Sequence, residues 1–531
     1  MSENGNFDKI LERVGCGRFQ LLLFLMCEFG VNTLMVPTYM IMMFGASAPN
    51  WHCARHNSSD TSETLSFANA SLVNASSHQE CQSLLDSCQR LLFDEQLNSV
   101  VTEFRLYCGR AWLGEFISSS QVMGTLFGAI IFGQLAELYG RRLGLIGSHC
   151  VVICTGIAAA FSTSWQMYSV LIFLSGIGIG GVYVCTFVLT QEFLTHKYRI
   201  VFCLNGFSVG VLWLSLLSWH FKDFRQVLLW ANVIIVAPVV VLAIFSSESA
   251  RWLIEHGKIE QAQAVLDRVA RINGRESVVL SSVTLFQDNQ SKRRRQKQRH
   301  SYWHLCYTPE LTKYLVAMLI SWFVCSHVCY GLLFSVKGLP GNRYMNYATY
   351  GLINQISTAA IMIYNQFMGR RVLHQFALWS VTLCMAVVAS AHLWFDDIPL
   401  LTPYRDHIIT YAAIIGNSMS CPAWIAFYLY SAELFPTVIR PLANGAGSVC
   451  ARFAGALGPL VVFLGKTWPV LPYLIWIALL VFNAIIAFLW LPETKGRPLP
   501  DELPTKRQKS EISTRQKMPD RNDKNSTPPL L

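Results

Sequence analysis

Charge is what this sequence is short of. Asp, Glu, Lys and Arg make up only 14% of its 531 residues, while 53% are hydrophobic. A soluble chain of this length needs far more charge to cover its surface, so a soluble globular protein is excluded. No G-x-x-x-x-G-K-[ST] loop occurs, which excludes an ATP-driven pump. SGIGIGG at 175–181 has the glycines of a dinucleotide fingerprint, but it lies inside an apolar run with no strand–helix pattern after it. Close helix packing accounts for those glycines. His149, His220 and His327 stand apart from any acid or nucleophile, and no spacing of Cys, His and acids suits a metal ion. A membrane enzyme is therefore the weaker rival class, and neither a cofactor nor a metal is expected.

Long apolar runs are abundant instead. Twelve recur, near 19–44, 112–136, 144–162, 165–190, 200–220, 226–246, 314–336, 346–368, 372–394, 407–431, 442–465 and 471–491. Each is long enough to cross a hydrocarbon core of roughly 30 Å. The expected fold is an all-α polytopic membrane protein. The net charge of +10 falls on alternate connections: Arg141 and Arg142, Lys197 and Arg199, KRRRQKQRH at 292–300, Arg370 and Arg371, Arg440, and Lys495 with Arg497. The positive-inside rule places these connections and both termini in the cytosol. The basic run at 292–300 then orients a loop, and no nucleic-acid partner is expected. The first run lacks a small-residue cleavage site and reads as a retained helix.

The connection 45–111 faces the other way. It carries N-x-S sequons at Asn57, Asn69 and Asn74, together with Cys53, Cys81, Cys88 and Cys108. Sequons mark lumenal or extracellular loops, and four cysteines in an oxidising compartment can pair in three ways. This predicts a glycoprotein of the secretory pathway, multi-pass in the plasma membrane. The expected organisation is a cytosolic segment 1–18, a six-helix half 19–246, a cytosolic loop 247–313, a second half 314–491 and a cytosolic tail 492–531.

The halves repeat one another. FVLTQEFLTHKYR closes the fourth run and FYLYSAELFPTVIR the tenth, pairing Glu192 and Arg199 with Glu433 and Arg440. GQLAELYGRR after the second run matches NQFMGRR after the eighth, and SESARW after the sixth matches LPETKGR after the twelfth. Two parallel six-helix halves around a central site describe the major facilitator architecture. The charged set Glu137, Arg141, Arg142, Glu192, Arg199, Glu248, Arg251, Arg370, Arg371, Glu433 and Arg440 is spaced to form ion pairs at the cytosolic helix ends and between the halves. Such pairs hold one face shut and break when the halves rock.

GQLAELYGRR, SESARWL, AELFPTVIR and LPETKGR resemble the signatures of the major facilitator superfamily. More narrowly, FDKILERVGCGRFQ, the long first loop, YCGRAWLGEFISSSQVMGTLFG and KGLPGNRYMNYATYGL resemble the organic ion transporters of solute carrier family 22, over nearly the whole chain to about residue 500. Three positions depart from that pattern. Glu137 stands for the usual Asp, and Gln366 and Asn354 replace acids, which removes an acid-based cation contact from the eighth helix. The resemblance implies a secondary-active or facilitative transporter of small organic ions, with a coupling or exchange ion as its further partner. It also implies that Tyr183, Phe187, Trp322 and Tyr330 face the substrate cavity. Aromatic faces suit bulky organic ions.

Two charges lie deep in apolar runs. Glu28 falls roughly 14 Å into the first helix and Arg452 roughly 18 Å beyond Arg440, at 1.5 Å per residue. Ionisable groups at such depth face partners or water. Glu28 is a candidate to pair with Arg452, to carry a proton, or to meet a cationic group of the substrate. Ala443, Gly447, Ala451 and Gly455 form a small-residue stripe for close packing, while Gly445 and Ser448 share the arginine's face and leave room beside it. Arg452 can thus hold a carboxylate or sulfate by paired hydrogen bonds. Anion and carnitine transporters of the resembling family tend to carry Arg here, and cation-selective members Asp. The expected substrate is an organic anion or a zwitterion such as carnitine. An organic cation and a non-transporting sensor on the same fold are the alternatives.

Overall fold

The computed structural model describes residues 11–47, 51–54, 90–93, 97–194, 206–276, 302–420, 423–424, 427, 430, 433–436 and 439–495. The apolar runs of the first half become α1 Arg18–Gly45, α2 Trp112–Tyr139, α3 Arg141–Ala160, α4 Trp165–Phe193, α5 Phe207–Phe221 and α6 Phe224–Phe245. The second half repeats the series with α7 Pro309–Ser335, α8 Arg343–Phe367 and α9 Arg370–Trp394, then α10, α11 Arg440–Leu464 and α12 Leu471–Trp490. Helix α10 begins as Arg405–Ser418, is interrupted by a turn at Met419, and resumes at helical positions reaching 434. Among the described residues nine helices are long and apolar enough to span a membrane. Helix α5 has only 15 residues, and α8 carries polar groups along one side.

Local chemistry sets the ends. Thr308 accepts the Leu311 N–H at 3.2 Å and precedes Pro309, which fits the first turn of α7 because its missing N–H would have no helical partner there. Asp223 caps α6 through the Arg225 N–H at 3.0 Å. Gly140 ends α2 at φ +118°, a backbone conformation that favours glycine.

The glycines of 175–181 do what close packing requires. A Cβ on Gly180 would sit 2.1 Å from the Thr125 carbonyl, and one on Gly128 would sit 1.9 Å from that of Ile177. Helices α2 and α4 therefore touch backbone to backbone. Along the junction of the halves α2 runs against α11, and α5 against α8. Asn354, where the resemblance leads one to expect an acid, donates to Ser208 Oγ at 2.8 Å across that junction.

Two features add to the all-helical fold where plain loops were expected. In the first loop β1 Trp51–Ala54 pairs antiparallel with β2 Arg90–Phe93, so that Cys53 stands opposite Leu91. After α6 the chain forms helices Ala250–Glu255 and Ile259–Asn273. The second buries Ala262, Leu266, Val269 and Ala270 at helical spacing. Its last residue, Asn273, accepts the Phe19 N–H at 3.0 Å and donates to the Gly15 carbonyl at 2.9 Å, which fixes the start of α1. Asn57, Asn69, Asn74, Cys81, Cys88 and Arg199 lie outside the described residues.

Candidate functional site

Helix α1 is not a regular α-helix where Glu28 sits. Residues Leu25–Asn32 form a π-helical segment, a local widening that recurs at functional sites. The Glu28 carbonyl takes the Thr33 N–H and, at 3.0 Å, the Thr33 hydroxyl. Its carboxylate accepts the Asn32 side-chain amide at 3.1 Å and is buried, only 7% of the residue being exposed. Glu28 does not pair with Arg452: among the described residues no carboxylate lies within ion-pair distance of that arginine. The Arg452 guanidinium is half-buried and donates to Ser448, to its hydroxyl and to its carbonyl at 3.3 Å.

The stripe on α11 packs against α7. Gly447 lies on the Trp322 ring, Gly455 on the Tyr330 ring, and Ser326 Oγ donates to the Ala451 carbonyl at 2.5 Å. Arg452 lies on the same helix, near tyrosines of the first half. Tyr330 shares a 2.7 Å hydrogen bond with the hydroxyl of Tyr39 on α1, and the Tyr39 ring meets that of Tyr183 on α4 at 6.0 Å between centroids. Arg452 lies near Tyr39 and Tyr183, and Glu28 lies near Tyr183. Glu28, Arg452, Tyr183 and Tyr330 thus belong to one central cluster. Phe187, one turn further along α4, is 52% exposed. Trp322 is only 2% exposed and is packed between Trp424 and Phe427, at 5.4 and 5.9 Å, so it backs the cluster instead of facing open space.

Sequence reasoning passed over Tyr39, which joins the halves at the centre of the cluster. A signal was present: Glu28, Asn32, Met35 and Tyr39 follow at spacings of four, three and four, which share one helical face.

At the helix ends opposite the first loop the two halves build the same device. Glu248 accepts the N–H of Arg141 at 2.7 Å and of Arg142 at 3.2 Å. Glu493 accepts the N–H of Arg370 at 2.9 Å and of Arg371 at 3.2 Å. The guanidinium of Arg141 pairs with Glu192 at 3.3 Å and with Glu137 at 2.8 Å, and Arg370 pairs with Glu433 at 3.2 Å. Arg142 and Arg371 reach the carbonyls of Ala243 and Phe488. Arg251 pairs with Glu255 at 3.6 Å, and Arg440 donates to the Phe435 carbonyl at 3.3 Å. The sequence spacing predicts pairs both at the helix ends and between the halves. Each of these contacts instead stays within one half, and Glu248 and Glu493 serve helix N-termini, where free N–H groups attract a carboxylate. Burial pushes the Glu493 carboxyl up, but the N–H groups of Lys495, Arg370, Arg371 and Thr494 outweigh it and hold the group below its ordinary range.

Further contacts between the halves lie toward the first loop. Lys337, just after α7, pairs with Glu115 in the first turn of α2 at 2.7 Å. The Tyr347 hydroxyl of α8 donates to the Met43 carbonyl of α1, and Phe44 meets Tyr344 at 6.3 Å. On the same side Cys108 is disulfide-bonded.

Comparison with known proteins accords with this geometry. Residues 38–502 match the family model described as "Sugar (and other) transporter". Solute carrier family 22 member 16 of Bos taurus is 30% identical over 76% of this chain and 69% of its own length. Organic anion transporter 3 of Oryctolagus cuniculus is 27% identical over 94% and 93%, and organic cation/carnitine transporter 2 of Mus musculus is 29% identical over 77% and 72%. Among solved structures, the inward open conformation of the xylose transporter XylE from E. coli superposes with a TM-score of 0.59 at 15% identity, covering 90% of this chain and 98% of that one. The chain therefore belongs to the sugar (and other) transporter family of the major facilitator fold, among the organic ion transporters of solute carrier family 22, and is a multi-pass membrane transporter.

Proposed function

We propose that the chain moves small organic anions or zwitterions, carnitine-like molecules among them, across the plasma membrane by alternating access. The observation that carries this reading is the state of Arg452. A guanidinium in mid-helix that has no internal carboxylate among the described residues keeps its paired donors available for a carboxylate or sulfate from outside the protein. Tyr39, Tyr183, Phe187 and Tyr330 supply aromatic faces and hydroxyls around it, with Trp322 behind them. Walls of this kind discriminate weakly among bulky substrates. The charged networks within each half make the halves rigid bodies, and the contacts toward the first loop are those that rocking would exchange. On this reading the first loop is extracellular and both termini are cytosolic.

Arg452→Ala should reach the cell surface yet lose uptake of carboxylates. Arg452→Asp should favour organic cations. Competitive uptake against a panel of anions, cations and zwitterions checks both, and normal carboxylate uptake by the Ala variant would overturn the assignment. One observation favours the cation alternative: Glu28 is a buried acid whose described side-chain partner is an uncharged amide. A panel in which only cations compete would select it.

A further inference from the structure

We propose that Glu115 and Lys337 form a latch that selects the conformation closed toward the first loop, and that the two charges act only as a pair. The inference rests on the alternating-access reading above. Glu115 belongs to the first half and Lys337 to the second, 222 residues apart in sequence and 2.7 Å apart in space. Their side chains are only 5% and 8% exposed, so the pair is shielded from the solvent that makes surface ion pairs weak. One oxygen of Glu115, Oε2, is buried without a hydrogen-bond partner, and the other accepts from Lys337. Lys466, exposed at the end of α11, is close enough for its charge to interact with both.

A contact joining the two halves exists only while they are together at that face. When they part, both charges meet water, and neither needs the other. The pair therefore contributes to the balance between conformations, not to the fold of either half. Removing one partner leaves a lone buried charge in the closed conformation alone. That cost shifts the closed-to-open ratio by on the order of 100-fold. Removing both charges leaves nothing to desolvate, and the ratio returns toward its starting value. A residue that merely helped the chain fold would not show this reversal.

Met43 is a suitable reporter, because it is fully buried at the junction and its carbonyl receives the Tyr347 hydroxyl. Met43→Cys is introduced into the full chain in intact cells and labelled with an impermeant maleimide, counted above the native cysteines. Glu115→Gln or Lys337→Met should raise the labelling rate roughly 100-fold. The double variant Glu115→Gln/Lys337→Met and the swap Glu115→Lys/Lys337→Glu should return it to within about tenfold of the parent. Parental labelling in the single variants, or equal labelling in single and double variants, overturns the latch. Glu115→Asp keeps the charge but draws it back, so it decides the matter should the neutral variants not reach the surface. It should label at an intermediate rate, and a parental rate would reject the proposal. Labelling needs no substrate, so the latch and the assignment of Arg452 stand or fall separately.

Discussion

Glu493 holds Arg370 by its backbone N–H. The carboxylate accepts the Arg370 N–H at 2.9 Å, while the side chain of Arg370 is left for Glu433 at 3.2 Å. Glu248 and Arg141 repeat the relation in the other half, with Glu192 in the place of Glu433. One acid fixes where a helix begins and another fixes where its first side chain points. This division of labour welds three helix ends of each half into a unit that can move as one body.

The pH dependence follows from the direction of the Glu493 shift. Its carboxyl is held below the ordinary value of 4.5 in the folded chain. A depressed carboxylate contributes stability that is present above the unfolded value and is lost as pH falls through the folded one. Glu493→Gln should therefore lower the thermal midpoint at pH 7, through a loss on the order of 1 kcal/mol for a helix-terminus carboxylate. The difference between variant and parent should shrink below about pH 4.5. Thermal unfolding of the purified protein at several pH values measures it. A gap that stayed constant down to the acid limit would mean that the carboxylate's charge has no part in holding Arg370.

Most of the fold was legible because a membrane demands it. Some twenty apolar residues must follow one another to cross a hydrocarbon core, and that length rule located α1 to α12, with edges displaced by a few residues where caps such as Thr308 and Asp223 decide, but not the amphipathic helix Ile259–Asn273. The duplication was legible because charged signatures interrupt apolar runs in the same order twice. Partner choice was not legible. Glu248 looks like a mate for a guanidinium until the geometry shows two N–H groups closer to it. The meeting of Glu115 and Lys337 was not legible either, since nothing local says that residues so far apart will meet. Tyr39 was legible only in part: its spacing puts it on the helical face of Glu28 and Asn32, but its partner Tyr330 comes from the other half.

Sidedness has its own test. The disulfide-bonded Cys108 and the sequons at Asn57, Asn69 and Asn74 share the connection proposed as extracellular. Replacing all three asparagines by Gln should abolish a glycosidase-sensitive mass shift seen in the parent expressed in a eukaryotic cell. Persistence of that shift in the triple variant would place the glycans elsewhere and reverse the topology.

The last prediction concerns Glu28. Its place in a π-helical segment, with its carbonyl shared by two groups of Thr33 and its carboxylate on Asn32, holds an acid rigidly inside the membrane core. A buried acid whose described partner is neutral costs little in its protonated form, because Asn32 can hydrogen-bond to either state. On the alternating-access proposal, rocking of the halves carries α1 relative to α7 and so changes the surroundings of Glu28 together with those of Tyr39. Such a group suits proton exchange between the two sides. Glu28→Gln keeps the shape and a hydrogen bond to Asn32, so surface expression should be retained. Uptake by this variant should lose its dependence on external pH, with the rate flat between about pH 5.5 and 8, while Arg452→Lys keeps the parental slope. Asn32→Ala serves as the companion variant. It leaves the acid in place without its amide, so it should displace the pH midpoint of uptake instead of removing it. An unchanged pH profile in Glu28→Gln would show that the acid carries no coupling proton and leave it as a contact for the substrate's cationic end.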